Sequence, residues 1–197
     1  MNQESFISIG GGSVQRTNMQ GKMSCFLFYE RKKGCTMSFP VYQIGITLQE
    51  LPNMISFYIQ FSECSLHCVG CHSSYLWGKY NNRKPLNWII DRVLCAKDNG
   101  ADAIILFGDI NNNISAEDLC VLCKELSEIL PICIYSGADD ILSALGSYST
   151  LKYIKWLKLG HYSKTAGPLD CDTTNQHMYL VEADGLVDIT KKLFKKE

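Results

Sequence analysis

The chain has 197 residues, of which 46% are hydrophobic and 20% are charged, so it is long enough for one domain around its own apolar core. Its 19 Lys and Arg residues against 20 Asp and Glu residues give a formal net charge of -1, which favours neither nucleic acid nor an anionic membrane as a partner. An apolar run of about 18 residues is missing, and so is an N-terminal signal pattern, which predicts a cytoplasmic protein. In that reducing compartment the ten cysteines are expected to be thiols or ligands.

The first 36 residues differ in composition from the rest of the chain. They contain three consecutive glycines and no pattern typical of a helix or a strand. We therefore expect an extension over residues 1–36, which is either flexible or the product of an upstream start, and a globular domain over residues 37–197.

From residue 38 onward, strand-like runs alternate with helix-like stretches, a pattern typical of α/β proteins with parallel strands. Strands are predicted at 41–48, 55–61, 103–107, 132–135 and 153–159. Helices are predicted at 86–98, from the N-cap Ser115 to before Pro131, and at 139–145. Residues 177–181 and 186–189 are predicted to form a C-terminal hairpin.

The loops after four of these strands are expected to meet. In parallel α/β sheets, ligands gather where the carboxyl ends of the strands open into loops. A cysteine-rich loop follows the second predicted strand, and the next three strands are followed by Gly108, by Ser136 and Gly137, and by Gly160 and His161. The sequence therefore predicts that these loops line one mouth.

The cysteine-rich loop, CSLHCVGC, contains Cys64, Cys68 and Cys71. Thiolates are soft ligands that favour zinc or iron–sulfur clusters. Three thiolates leave one coordination position for another group, which indicates a catalytic site rather than a closed structural one. By spacing alone, both an iron–sulfur cluster and a zinc ion with His72 as the fourth ligand remain open.

A second CxxC pair, Cys120 and Cys123, lies within a predicted helix. Its apolar neighbours favour buried thiols over a metal or redox site. Cys95 and Cys133 are likewise expected in the core.

The CxxxCxxC loop after an early strand resembles that of the radical S-adenosylmethionine (SAM) superfamily. The longer segment CSLHCVGCHSSYLW is similar to the cluster loop of the activating proteins of anaerobic ribonucleoside-triphosphate reductase. KLGHY at 158–162, GPLD at 167–170 and TTNQ at 173–176 resemble the C-terminal region of the same family. The resemblance covers roughly residues 44–194 and leaves 1–36 unexplained.

This resemblance implies an α/β fold, an incomplete (β/α) barrel of the radical SAM type with mostly parallel strands. It implies that Cys64, Cys68 and Cys71 hold a [4Fe-4S] cluster whose fourth iron binds S-adenosyl-L-methionine. Reductive cleavage of SAM would then generate a glycyl radical on the large subunit of anaerobic ribonucleotide reductase. That subunit and an electron donor protein are the expected partners of this oxidoreductase, without nucleic acid or membrane.

The resemblance also implies that Gly108 and Asp109 contact SAM, and Ser136 and Gly137 are candidates for the same role or for an ordinary turn. Phe107 departs from the family pattern, because it stands where the family has a glycine. Phenylalanine does not allow close backbone approach or positive φ at low cost, so either the loop is displaced or SAM binding is weakened. An activase for another glycyl radical enzyme, a radical SAM enzyme for a small molecule, and a zinc-binding or degenerate docking homologue remain alternatives.

Overall fold

A computed structural model describes residues 37–108 and 114–194. These residues belong to a single unit of the chain, Gly34–Glu197. The extension predicted over residues 1–36 and the candidate SAM contact Asp109 lie outside the described residues.

Nine strands and four helices make up the described part of the chain. The strands are β1 (Ser38–Phe39), β2 (Val41–Thr47), β3 (Ser56–Phe61), β4 (Lys84–Pro85), β5 (Ala103–Phe107), β6 (Ile132–Tyr135), β7 (Trp156–Leu159), β8 (His177–Glu182) and β9 (Gly185–Asp188). The helices are α1 (Leu86–Asp98), α2 (Ala116–Ser127), α3 (Ile141–Leu145) and α4 (Thr190–Phe194). Two 3₁₀ turns, Ser74–Trp77 and Tyr148–Tyr153, complete the set.

Seven of the strands form one mixed sheet in the order β2-β3-β5-β6-β7-β8-β9. The three central pairings, from β3 to β7, are parallel, and the three outer pairings are antiparallel. Parallel neighbours need long crossovers, which α1 and α2 provide, whereas the short β2–β3 and β8–β9 connections give antiparallel pairs. The sheet is therefore more mixed than the mostly parallel one that the sequence predicts. Among the described residues β2 and β9 do not pair with each other, so the sheet is open.

The central strands are covered on both faces. On one face, Ile104 and Leu106 pack in a large core with Val93 of α1 and Leu122 of α2. On the opposite face, which we call the inner face, alternate residues of the same strands form a smaller cluster with Leu51 and β8. Because side chains alternate along a strand, a continuous apolar run such as β5 supplies both cores.

The element boundaries follow local sequence signals. The Ser115 hydroxyl accepts the Asp118 N–H at 3.0 Å, which confirms this residue as the N-cap of α2. The α3 helix ends at Gly146, whose φ of 66° suits glycine. The strand predicted at 153–159 is shorter than expected, because residues up to Tyr153 form a 3₁₀ turn.

The cysteines outside the cluster loop differ from each other in burial. Cys123 and Cys133 are buried, as predicted. Cys120 is only half-buried and Cys95 is exposed, so those two predictions are wrong. Cys95 lies on the side of α1 away from the buried Val93, which the apolar character of a thiol does not reveal.

None of the helices in the described part of the chain combines the length and the apolar character needed to cross a membrane.

Candidate functional site

The cysteine-rich loop leaves the carboxyl end of β3. Because β3, β5, β6 and β7 run parallel, their carboxyl ends lie along the same edge of the sheet. The backbone confirms that their loops meet: a Cβ on Gly137, after β6, would lie 3.8 Å from both Cys68 Sγ and the Cα of His161, which follows β7. The predicted mouth is therefore present for these three loops.

Two backbone hydrogen bonds fix the conformation of the cysteine loop. The Cys64 N–H donates to the carbonyl of Leu76 at 2.9 Å, which ties the start of the loop to the 3₁₀ turn that follows it. The Cys71 N–H donates to the carbonyl of Cys68 at 3.1 Å. All three cysteines are half-buried. The three thiols are therefore in a hydrogen-bonded loop and are still partly exposed.

Two residues of this loop region adopt left-handed backbone conformations that cost energy for side chains other than glycine. Glu63 has a φ of 68° and His67 has a φ of 44°. The His67 ring packs against Trp77, with their centroids 4.8 Å apart, so the contact holds the loop in this conformation. Backbone strain of this kind is concentrated at binding and catalytic sites.

Two features of the surroundings suit bound thiolates. The Ser73 N–H donates to Cys71 Sγ at 3.3 Å, and hydrogen bonds to sulfur tune the potential of a bound cluster. At Gly137, a Cβ would lie 2.7 Å from Leu66 Cδ1, so a larger residue would have to displace the Leu66 side chain beside Cys68. Glycine keeps that space open.

Lys158 on β7 is a functional candidate that the sequence reasoning missed. It is only 6% exposed, and its ammonium donates to the carbonyl of Gly160 at 2.6 Å. Burial lowers the pKa of Lys158 to about 8, while negative charge on Cys68 and on Glu50 opposes this fall. The side chain is therefore a buried cation at neutral pH, within electrostatic reach of Cys68. A lysine inside the apolar strand WLKL was the available signal.

Further polar groups lie below the loops, near Lys158. The Tyr135 hydroxyl donates to the backbone carbonyl of Glu50 at 2.6 Å. Burial raises the pKa of the Glu50 carboxyl, and the Tyr135 hydroxyl and the Lys158 ammonium act in the opposite direction. Glu50 thus supplies a partial counter-charge for the buried lysine.

Within residues 37–108 and 114–194, no three His, Cys, Asp or Glu side chains are grouped so as to hold a metal ion. Cys64, Cys68 and Cys71 are therefore not brought together as a ligand set in this structure. What supports a soft-metal site is the type and surroundings of the donors: three half-buried thiols in one loop, an N–H donor to Cys71, open space beside Cys68 and the nearby Lys158 cation. His72 packs against Tyr162, with ring centroids 5.5 Å apart, which is a packing role.

The residues expected to contact SAM are placed in different settings. Gly108 has a φ of 112°, and a Cβ there would lie 2.7 Å from the Phe61 carbonyl oxygen, so this position requires glycine. Ser136 is buried, and its hydroxyl accepts the Ala138 N–H at 3.1 Å, which closes the turn after β6. Gly137 lies beside Cys68, as described above. The Ser136 hydroxyl is therefore used in the turn after β6. Gly108 and Gly137 shape the mouth.

Phe107, the departure from the family pattern, is the last residue of β5. Its ring packs on the inner face against Tyr58 and Tyr135, with centroid distances of 6.0 and 5.0 Å. The φ of Phe107 is not positive, so a large side chain at this position causes no left-handed backbone strain.

Comparisons with known proteins do not assign a family to the chain. No protein-family model matches it, and neither curated proteins nor solved structures give a significant match.

Proposed function

We propose that the protein is a cytoplasmic radical SAM activating protein that generates a glycyl radical on the large subunit of anaerobic ribonucleoside-triphosphate reductase. Cys64, Cys68 and Cys71 are the ligands of its [4Fe-4S] cluster. The observation that carries the proposal is the position of this CxxxCxxC loop, at the carboxyl end of a strand in the parallel centre of the sheet. The resemblance of TTNQ and its neighbouring segments supports the choice of protein substrate.

The proposal assigns a separate task to each group around the thiols. When bound, an iron–sulfur cluster supplies the single electron that starts the cleavage of SAM. The three thiolates hold it, and the Ser73 N–H and the Lys158 ammonium offset their negative charge. Gly137 leaves room beside Cys68. Gly108 allows the chain after β5 to approach the end of β3 closely.

An incomplete barrel of the radical SAM type is part of the proposal. It is supported by four neighbouring parallel strands, β3, β5, β6 and β7, with α1 and α2 as crossovers. The sheet is open between β2 and β9 in the described part of the chain.

A zinc-binding or degenerate docking homologue is the second candidate. The Phe107 ring fills the inner face where the family has a glycine, which favours a degenerate homologue. The described side chains are not grouped as a ligand set, which also favours a degenerate homologue over a zinc site. His72 packs on Tyr162, which is a further observation against a four-ligand zinc site.

Anaerobic purification separates the two candidates. We expect a brown protein that contains iron and sulfide, with a broad visible absorption band that bleaches on reduction. A colourless protein that contains zinc without iron would contradict the proposal. The substrate is tested by mixing the reduced protein and SAM with the reductase: a glycyl radical signal in electron paramagnetic resonance is expected, and its absence with an active cluster would indicate a different partner.

A further inference from the structure

The segment TTNQ at 173–176 uses its side chains within the chain. The Thr173 hydroxyl donates to the carbonyl of Ala166 at 2.8 Å. The Thr174 hydroxyl and the Gln176 amide both donate to the carbonyl of Gly167, at 3.3 Å each. Because these donors already have partners in the long loop between β7 and β8, they are poorly suited to bind another protein.

Asn175 makes the contact nearest to the mouth. Its side-chain amide donates to the carbonyl of His161 at 2.9 Å. A Cβ on Gly160 would lie only 2.5 Å from the backbone oxygen of Asn175. Gly160 also has a φ of 100°. The backbone at 175–176 therefore packs directly on the turn at 160–161, and that turn tolerates only glycine at its first position.

The turn at 160–162 lies beside the buried Lys158 and the cysteine loop. The carbonyl of Gly160 accepts the Lys158 ammonium. The Cα of His161 and Cys68 Sγ lie at the same distance from a Cβ placed on Gly137. A Cβ on Gly70, within the cysteine loop, would lie 3.5 Å from the Tyr162 ring. A shift of this turn would move the carbonyl that accepts the Lys158 ammonium, the backbone near Cys68 and the aromatic ring beside Gly70.

We propose that Asn175 is a positioning residue for the cysteine site. By holding the carbonyl of His161, it fixes the turn that sets Lys158 and Tyr162 against the cysteine loop. The inference deepens the proposed function and rests on it only for the identity of the bound group, since any metal held by the three thiols would be affected. Asn175 itself does not touch the thiols.

The test uses Co²⁺ as a probe of the thiolates in the full-length protein, purified anaerobically and freed of metal. Thiolate ligation of Co²⁺ gives a charge-transfer absorption band whose intensity reports the number of bound sulfurs. We expect Asn175→Ala to weaken Co²⁺ binding about tenfold and to lower the band intensity per bound ion, as loss of an outer contact to a metal ligand set does elsewhere. Asn175→Asp should have a larger effect, because its carboxylate faces the carbonyl of His161.

Thr165→Ala is the matched control, since Thr165 lies in the same loop but bonds only to the neighbouring Ser163 among the described contacts. It should leave Co²⁺ binding unchanged. Thermal unfolding is recorded for each variant, and binding is measured far below the transition. If Asn175→Ala lowers the unfolding temperature but binds Co²⁺ with wild-type affinity and band intensity, its role is structural only and the inference is overturned.

Iron reconstitution of the same variants separates this inference from the proposed function. Weakened Co²⁺ binding in Asn175→Ala, together with a wild-type protein that forms no iron–sulfur cluster, would support the positioning role and contradict the proposed function. Conversely, the wild-type protein could form a cluster, and Asn175→Ala could give the same reduced spectrum and bind Co²⁺ as tightly. That result would support the proposed function and contradict the positioning role.

Discussion

Replacing Lys158 by methionine should stabilise the metal-free protein at neutral pH. The Lys158 side chain is buried near the cysteine loop. Burial lowers the pKa of its ammonium group from 10.5 to about 8. Methionine has a similar length and carries no charge. The substitution therefore removes the cost of keeping a cation in the interior without leaving a large cavity.

The size of the effect follows from the pKa. Each unit of difference corresponds to about 1.4 kcal/mol, so burial of the charged Lys158 costs the native state about 3 kcal/mol at pH values below 8. Methionine loses the charge-assisted hydrogen bond to the carbonyl of Gly160, which is worth about 2 kcal/mol. We expect a net gain in the free energy of unfolding of about 1 kcal/mol near pH 7.

The pH dependence has a defined sign. Between about pH 8 and pH 10.5 the unfolded chain binds more protons at Lys158 than the native state does, so the stability of the wild-type protein rises with pH in that window. The cost is fully present below pH 8 and is lost as the pH rises from about 8 to 10.5. The advantage of Lys158→Met should therefore shrink towards pH 10.5.

Urea denaturation of metal-free, reduced protein measures both quantities. Lys124→Met, a change at an exposed lysine on α2, is the matched control and should alter the free energy of unfolding by less than about 0.5 kcal/mol at either end of the window. The reasoning is refuted if Lys158→Met is less stable than the wild type near pH 7, or if both proteins gain stability equally between pH 8 and pH 10.5.

Three further predictions concern the cysteines and the mouth. Cys68→Ser should lower the iron content after reconstitution, whereas Cys95→Ser, an exposed change outside the site, should leave it at the wild-type level. Gly108→Ala should lower the free energy of unfolding in urea by about 2 kcal/mol, because of the positive φ and the backbone oxygen of β3 at 2.7 Å. Gly78→Ala, with nothing within 4 Å and a φ of -73°, is its control, and equal effects would contradict the packing argument. In the native protein iodoacetamide should alkylate Cys95 and leave Cys123 unmodified, because burial raises the pKa of the Cys123 thiol; mass spectrometry of the digest would contradict this if both react at similar rates.

Local signals in the sequence predicted much of the fold. The runs at 103–107 and 132–135 are apolar and bounded by turns, so their strands match the structure residue for residue. Ser115 and Gly146 mark helix ends through bonds and conformations formed within a few residues. Such features depend on short-range geometry and are therefore accessible without a structure.

The candidate site was predicted only in part. The cysteines, Gly108 and Gly137 follow strands, and the parallel order of those strands brings their loops to one edge. The proximity of Lys158 to Cys68 depends on the packing of segments ninety residues apart in sequence, which periodicity does not encode. The bond from Asn175 to His161 likewise depends on how a long loop closes.

The most direct test of the central claim is reductive cleavage of SAM by the anaerobically reconstituted protein. With about four iron atoms per chain and a chemical reductant, the wild-type protein is predicted to convert SAM to 5'-deoxyadenosine and methionine, which chromatography quantifies. Cys68→Ser, treated identically, should produce neither above the level of the reductant alone. A wild-type protein that carries a reducible cluster and yet leaves SAM intact would contradict the account.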